Sequence, residues 1–126
     1  MPRCALLACA LFAAALPALA QVPRSFPQNA LRGEVVFGQP PDVQLNGKPA
    51  RLAPGARIRD AANMLAMSGT LIGQRQVVHY TLDPSGLLRD VWVLTADELA
   101  KQPWPTNETQ AMSWRFDWSA QTWSRE

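Results

Sequence analysis

Cysteine is absent after the first twenty residues: Cys4 and Cys9 are the only two, and both precede Ala20. Residues 21–126 therefore hold no disulfide, no thiolate metal centre and no cysteine nucleophile. Histidine is almost as scarce. His79 stands alone, which leaves no second imidazole or thiolate to complete a zinc site. Charge of either sign is also short, with 12 basic against 10 acidic side chains and a formal net charge of +2. That balance offers neither the basic footprint of a nucleic-acid binder nor a strong pull towards a membrane surface. Beyond Ala20 no apolar run approaches the roughly 20 residues of a membrane helix, so no integral span is expected there. Nothing in the pattern implies a cofactor.

What the chain does have begins at its N-terminus. Arg3 supplies a positive start, Ala5 to Leu16 form an apolar stretch, and Ala18-Leu19-Ala20 is a small-residue cleavage signal. Together they predict a secretory signal peptide over residues 1–20, cleaved after Ala20. Localisation is thus expected to be periplasmic or secreted. Cleavage would leave 106 of the 126 residues at a formal charge of +1, enough for one soluble domain that folds without staples.

Residues 21–29, polar and holding Pro23 and Pro27, read as a flexible lead-in. A single β-rich domain is expected over 30–126. Glu34 to Phe37 reads as a strand ending at Gly38. Asn46-Gly47 is a type I′ hairpin signal after Val43-Gln44-Leu45. Pro49 cannot donate to a ladder, which places the return strand on an edge. Pro54-Gly55 predicts a type II turn, followed by a short strand from Ala56 to Arg59. Asp60 to Gln74 admits either a short helix capped by Asp60 or an extended path, and the extended path is favoured.

Gln76 to Leu82 and Leu87 to Leu94 read as two strands of a hairpin turned at Asp83-Pro84-Ser85-Gly86, with Gly86 in the left-handed position. The implied register pairs Val78 with Trp92 and His79 with Val91. It gives a core face of Val78, Tyr80, Leu82, Leu88, Trp92 and Leu94, and sets Asp90 beside Tyr80, away from His79. Thr95 and Glu98 form a capping box, with Leu94 and Leu99 as its hydrophobic staple, for a short helix over residues 96–101. Trp114, Phe116 and Trp118 alternate as a strand, and Thr122-Trp123-Ser124 is expected to pair back as a closing hairpin. The fold class is mainly β: a small antiparallel open barrel or sandwich with one short helix.

Three chemistries can be written on these residues. Arg51, Arg57 and Arg59 gather positive charge around the Pro54-Gly55 turn, and arginine suits carboxylate or phosphate. With Trp104 and Trp123 expected at the surface, they would form a binding face for an envelope protein, a glycan or an anionic ligand. The same arginines more often serve as solvated charges that keep an edge strand from aggregating. Met64, Met67, His79 and Met112 are soft and imidazole donors that suit Cu(I) or Ag(I) in a metal carrier, although methionine more often fills core gaps. A hydrolase could be drawn from His79 with Ser68 or Ser85, but no nucleophile-elbow pattern surrounds either serine. Asn107-Glu108-Thr109 fits a glycosylation acceptor only in a eukaryotic secretory pathway.

The stretch Asn46-Gly47-Lys48-Pro49-Ala50-Arg51-Leu52-Ala53-Pro54-Gly55-Ala56-Arg57-Ile58-Arg59, with the Val91-Trp92-Val93-Leu94-Thr95 strand end, resembles small exported proteins of proteobacteria that have no assigned activity. The resemblance implies a periplasmic protein and transfers no site residue. The expected function is that of an exported, non-enzymatic envelope protein that binds a partner or ligand. A soft-metal carrier is the alternative and a small hydrolase the third.

Overall fold

A computed structural model describes residues 23–125, so the expected signal peptide lies outside the described residues. The strands are β1 (Leu31–Phe37), β2 (Asp42–Leu45), β3 (Lys48–Arg59), β4 (Leu65–Ala66), β5 (Arg75–Leu82), β6 (Leu88–Val93), β7 (Arg115–Asp117) and β8 (Thr122–Ser124). Two short helices, α1 (Ala96–Leu99) and α2 (Glu108–Ser113), lie between β6 and β7. Strands β2, β1, β5, β6 and β3 pair in that order, and β2 pairs with β3 to close a five-stranded barrel. Strand β4 adds to β3 outside the ring, while β7 and β8 form a separate hairpin.

All barrel pairings are antiparallel except β3 with β6. This connectivity is that of an OB-type Greek-key barrel, an architecture that hosts unrelated functions and assigns none. The mainly β expectation holds, and the barrel is closed rather than open.

Local turn chemistry sets the first hairpin. Asn46 (φ 55°) and Gly47 (φ 83°) take the two positive-φ positions between β2 and β3. Strand β3 then departs from expectation. Pro54-Gly55 does not separate two strands but kinks one twelve-residue strand, with Gly55 at φ 78° and a register shift against β6 between Leu52 and Arg57. Nor is β3 an edge: it pairs with β2 and, from Leu52 onward, with β6. Pro49 is tolerated because it precedes the β6 pairing. Asp60 to Gln74 is mixed, with a turn held by Asp60 Oδ1, the two residues of β4 and one 3-10 turn at Ser68–Thr70.

The β5–β6 hairpin begins as its turn predicts. The N–H of Asp83 donates to the Leu87 carbonyl at 2.8 Å, and Gly86 sits at φ 86°. A bulge then shifts the register between Thr81 and Leu82, so Leu82 faces Leu88 while Thr81 faces Asp90. Beyond it Val78 pairs with Val93, and His79 with Trp92 rather than with Val91. One extra residue reverses every later side chain. Val91 and Val93 therefore enter the barrel core beside Val35, Phe37, Ile58, Val78 and Tyr80. Trp92 and Leu94, expected in that core, face outward with His79.

The outward face is covered by a second apolar layer of Phe26, Ala30, Leu94, Trp104 and Trp123, with Phe116 packed against it. The expected flexible lead-in is consequently corrected over its described part. Phe26 is 2% exposed and packs edge-on against His79 and Trp92, with ring centroids 4.5 and 5.4 Å apart. The N–H of Phe26 donates to Gln121 Oε1 at 2.8 Å, tying the segment to the β7–β8 turn. The closing hairpin itself forms as expected, pairing Phe116 with Trp123.

If the lead-in is a structural element, Phe26→Ala should lower unfolding free energy in urea by about 3–5 kcal/mol. Trp118→Ala, at a side chain 57% exposed, should cost about 1 kcal/mol or less. Equal effects would return residues 23–29 to the status of a loose tail.

Candidate functional site

Three neighbouring barrel strands bring Arg32, His79 and Trp92 into one cross-strand row on the outer face, since Arg32 pairs with His79 and His79 with Trp92. Phe26 and Trp104 lie over that row. Trp104 stacks on the imidazole with centroids 4.0 Å apart and planes 23° from parallel. Its indole N–H donates to the Ala30 carbonyl at 2.9 Å, and the Arg32 N–H donates to the Pro105 carbonyl at 2.8 Å, so the Trp104 segment is fastened beside β1. His79 is left 1% exposed.

The Arg32 guanidinium approaches His79 Nε2 through Nε at 3.3 Å and Nη2 at 3.2 Å. A guanidinium only donates, so Nε2 must accept and the neutral ring carries its proton on Nδ1. That Nδ1 is buried and has no hydrogen-bond partner. Burial first, then the charges of Arg32 and Arg24, push the His79 pKa down from its ordinary 6.5 to about 2. The imidazole is therefore neutral at physiological pH, and its one lone pair is taken.

Beside it a cavity of about 250 Å³ is lined by Pro23, Arg24 and Phe26 of the N-terminal segment, by His79 and Trp104, and by residues at and after α1. Helix α1 is placed by the expected capping box: Thr95 N–H donates to Glu98 Oε1 at 2.9 Å and Glu98 N–H to Thr95 Oγ1 at 3.2 Å. Glu98 carries a second duty that the box alone does not reveal. Arg24 donates to its carboxylate through Nε at 2.9 Å and Nη2 at 2.5 Å, and to the carbonyls of Asp60 and Val93. Burial raises the Glu98 pKa, but its bonds with Arg24 and Thr95 outweigh that and hold it below the usual value. Both side chains are nearly enclosed, so removing one partner should cost about 3–5 kcal/mol. Lys101 and Asp97 stand exposed at the rim.

The sequence-predicted residues are distributed otherwise. Trp104 (4% exposed) and Trp123 (5% exposed) are buried, which corrects the expectation that they face solvent. Trp104 is drawn in by its indole bond to Ala30, and Trp123 by pairing with Phe116 across the hairpin. Trp118 is the exposed tryptophan of the tail instead. Arg51 is exposed and paired with Asp42 at 3.1 Å. Arg57 lies opposite Asp90 in register, and Arg59 opposite Trp92. The arginines thus line one strand but do not meet Trp104 and Trp123 at a common surface.

The four soft-metal candidates are not brought together. His79 is enclosed with Nε2 engaged, Met64 and Met67 are exposed on either side of β4, and Met112 is exposed on α2. Among the described residues, no carboxylate hydrogen-bonds to the imidazole, so the drawn hydrolase lacks its orienting acid. A larger, open cleft of about 600 Å³ along β1, β2 and β3 is lined by Asp42 and Arg51, which satisfy each other. Among the described residues the buried donors without a partner are His79 Nδ1 and Trp123 Nε1, and the His79 cavity is favoured over this cleft because one of its lining residues carries one of them. Arg24, Phe26 and Arg32 were missed by sequence reasoning. For Arg24 and Phe26 the available signal was an arginine and a phenylalanine set between Pro23 and Pro27, unusual composition for a loose linker; Arg32, within β1, carried none. Helix α2 was missed as well, although Asn107, noted only as a glycosylation acceptor, caps it by accepting from Gln110 N–H at 2.9 Å. Comparison with known protein families, curated proteins and solved structures finds no match to this chain.

The buried imidazole makes stability depend on pH. Below pH 6.5 the unfolded chain binds a proton at His79 that the folded protein refuses, so stability is full above that value and falls as pH drops towards 2. Urea unfolding between about pH 6 and 5 should show a loss near 1.4 kcal/mol per pH unit that disappears in His79→Gln. An identical slope in both proteins would mean that His79 titrates normally in the fold.

Proposed function

We propose that this chain is an exported binding module of the bacterial envelope, whose cavity at His79 takes a small ligand bearing an oxygen acceptor. The observation that carries this reading is that His79, a residue lining a cavity, is a neutral, enclosed imidazole whose Nδ1–H is buried and unmatched. A buried donor left without an acceptor costs about 1–3 kcal/mol, a large share of the stability of a small domain. A carbonyl or carboxylate oxygen supplied by a ligand would recover it. The volume of about 250 Å³ lies below the 300–1,000 Å³ of drug-sized sites, which favours a small molecule or a chain terminus. A binding role is favoured over catalysis because an imidazole with its lone pair engaged, and a pKa near 2, cannot serve as a general base.

The export half of the proposal rests on the pattern of residues 1–20, and the described residues contain no helix long and apolar enough to cross a membrane. Expression in a bacterium followed by intact-mass analysis of the periplasmic fraction should find a chain that begins at Gln21. A full-length chain confined to the cytoplasm would count against it.

Because His79 is the only histidine, isotope labelling of histidine reports on this one ring by NMR. The free protein should show the Nδ1–H tautomer. Propionate, propionamide and N-methylacetamide are the probes, and at least one should move the Nδ1–H resonance saturably. A resonance unmoved by all three would remove the site from consideration.

A further inference from the structure

Resting on the reading of the His79 cavity as a ligand site, we infer that its occupant is a small carboxylate, held by one oxygen on His79 Nδ1 and favoured by the uncancelled charge of Arg32. The two arginines near the imidazole differ in one respect. Arg24 is neutralised by Glu98 in a bidentate pair. Arg32 meets only neutral groups: His79 Nε2, the carbonyls of Glu98 at 2.8 Å and Leu99 at 3.3 Å, and the Trp104 ring, whose centroid is 5.7 Å from the guanidinium carbon. Among the described residues no carboxylate comes within ion-pair distance of it. Burial lowers its pKa from the ordinary value, against the opposing charge of Glu98. One positive charge is therefore held next to the cavity without a counter-ion in contact.

The imidazole passes that charge on. Donation by Arg32 to Nε2 draws electron density away from the opposite nitrogen, which makes Nδ1–H a stronger donor towards an anion. Lys101 adds a further cation to the lining of the same cavity, its ammonium donating only to the Ala120 carbonyl at 3.2 Å. Counting the groups that line or back the cavity, Arg24, Arg32 and Lys101 stand against Glu98 and Asp97, a surplus of one positive charge. One unmatched donor, on an imidazole packed against the rings of Phe26 and Trp104, suits a flat carboxylate with a short apolar body. A phosphate would call for several donors around its oxygens.

The test compares three probes on the protein labelled at its single histidine: propionate, its neutral isostere propionamide, and inorganic phosphate. Propionate should bind at least about tenfold more tightly than propionamide, as expected when a neutral acceptor is exchanged for a charged one. Lys101→Gln, an exposed change outside the His79 and Arg32 contacts, should reduce that preference without abolishing it. Arg32→Gln should remove most of it. Should that variant fail to fold, the comparison in the unaltered protein and in Lys101→Gln still decides. Equal affinity for propionate and propionamide would overturn the carboxylate assignment while leaving the binding site in place. Phosphate binding as tightly as propionate would also overturn it, in favour of a general anion site. If no probe moves the His79 resonance, the site and its assignment fall together.

Discussion

The contact on which most of this arrangement depends is the one between the Arg32 guanidinium and His79 Nε2. A permanently charged donor aimed at an imidazole leaves the ring a single choice of protonation. A neutral ring can then be enclosed, and its flat face accepts Trp104 at stacking distance. Trp104 in turn bonds to Ala30, and Phe26 closes the edge of the same ring. A protonated imidazole would face Arg32 as a like charge with no acceptor left to offer. The second layer is thus assembled around a fixed proton.

That layer also explains how a chain with no cysteine after residue 20 holds together without crosslinks. The barrel core supplies one apolar cluster and the outer aromatic layer a second, each on its own side of the β5–β6 ladder. Arg24 and Glu98 fix the rim of the second cluster, and Glu98 links them to the start of α1 through Thr95. One carboxylate therefore serves both a helix cap and an interior ion pair.

Wherever a feature is decided within a few residues, the sequence was legible. Asn46-Gly47, the Asp83 to Gly86 turn, the Thr95 and Glu98 box and the alternating tail all form where local chemistry places them. Features decided by closure of the barrel were not. The bulge near Arg89 and the kink at Pro54-Gly55 show themselves only in how β6 pairs with β5 and with β3. Missing the first interchanged Val91 and Val93 with Trp92 and Leu94, and so concealed the outer layer. Of the candidate site, His79 and Trp104 were visible as residues but not as neighbours. Arg24, Phe26 and Arg32 become informative only when residues 23–32 are laid against β5 and α1, a placement that no local period encodes.

The reciprocal bonds between Phe26 and Gln121, in which each residue donates to the other, have a temporal consequence. They join positions near the two ends of the described chain, and Trp123 enters the same layer two residues later. A ribosome must therefore deliver almost the whole polypeptide before the layer can seal, since contacts this distant in sequence are the slowest to form. That postponement acts as a built-in timer on closure of the layer. The Phe26 segment waits uncovered until Gln121 and Trp123 are present, and the last-made hairpin is what closes over the first-made strand.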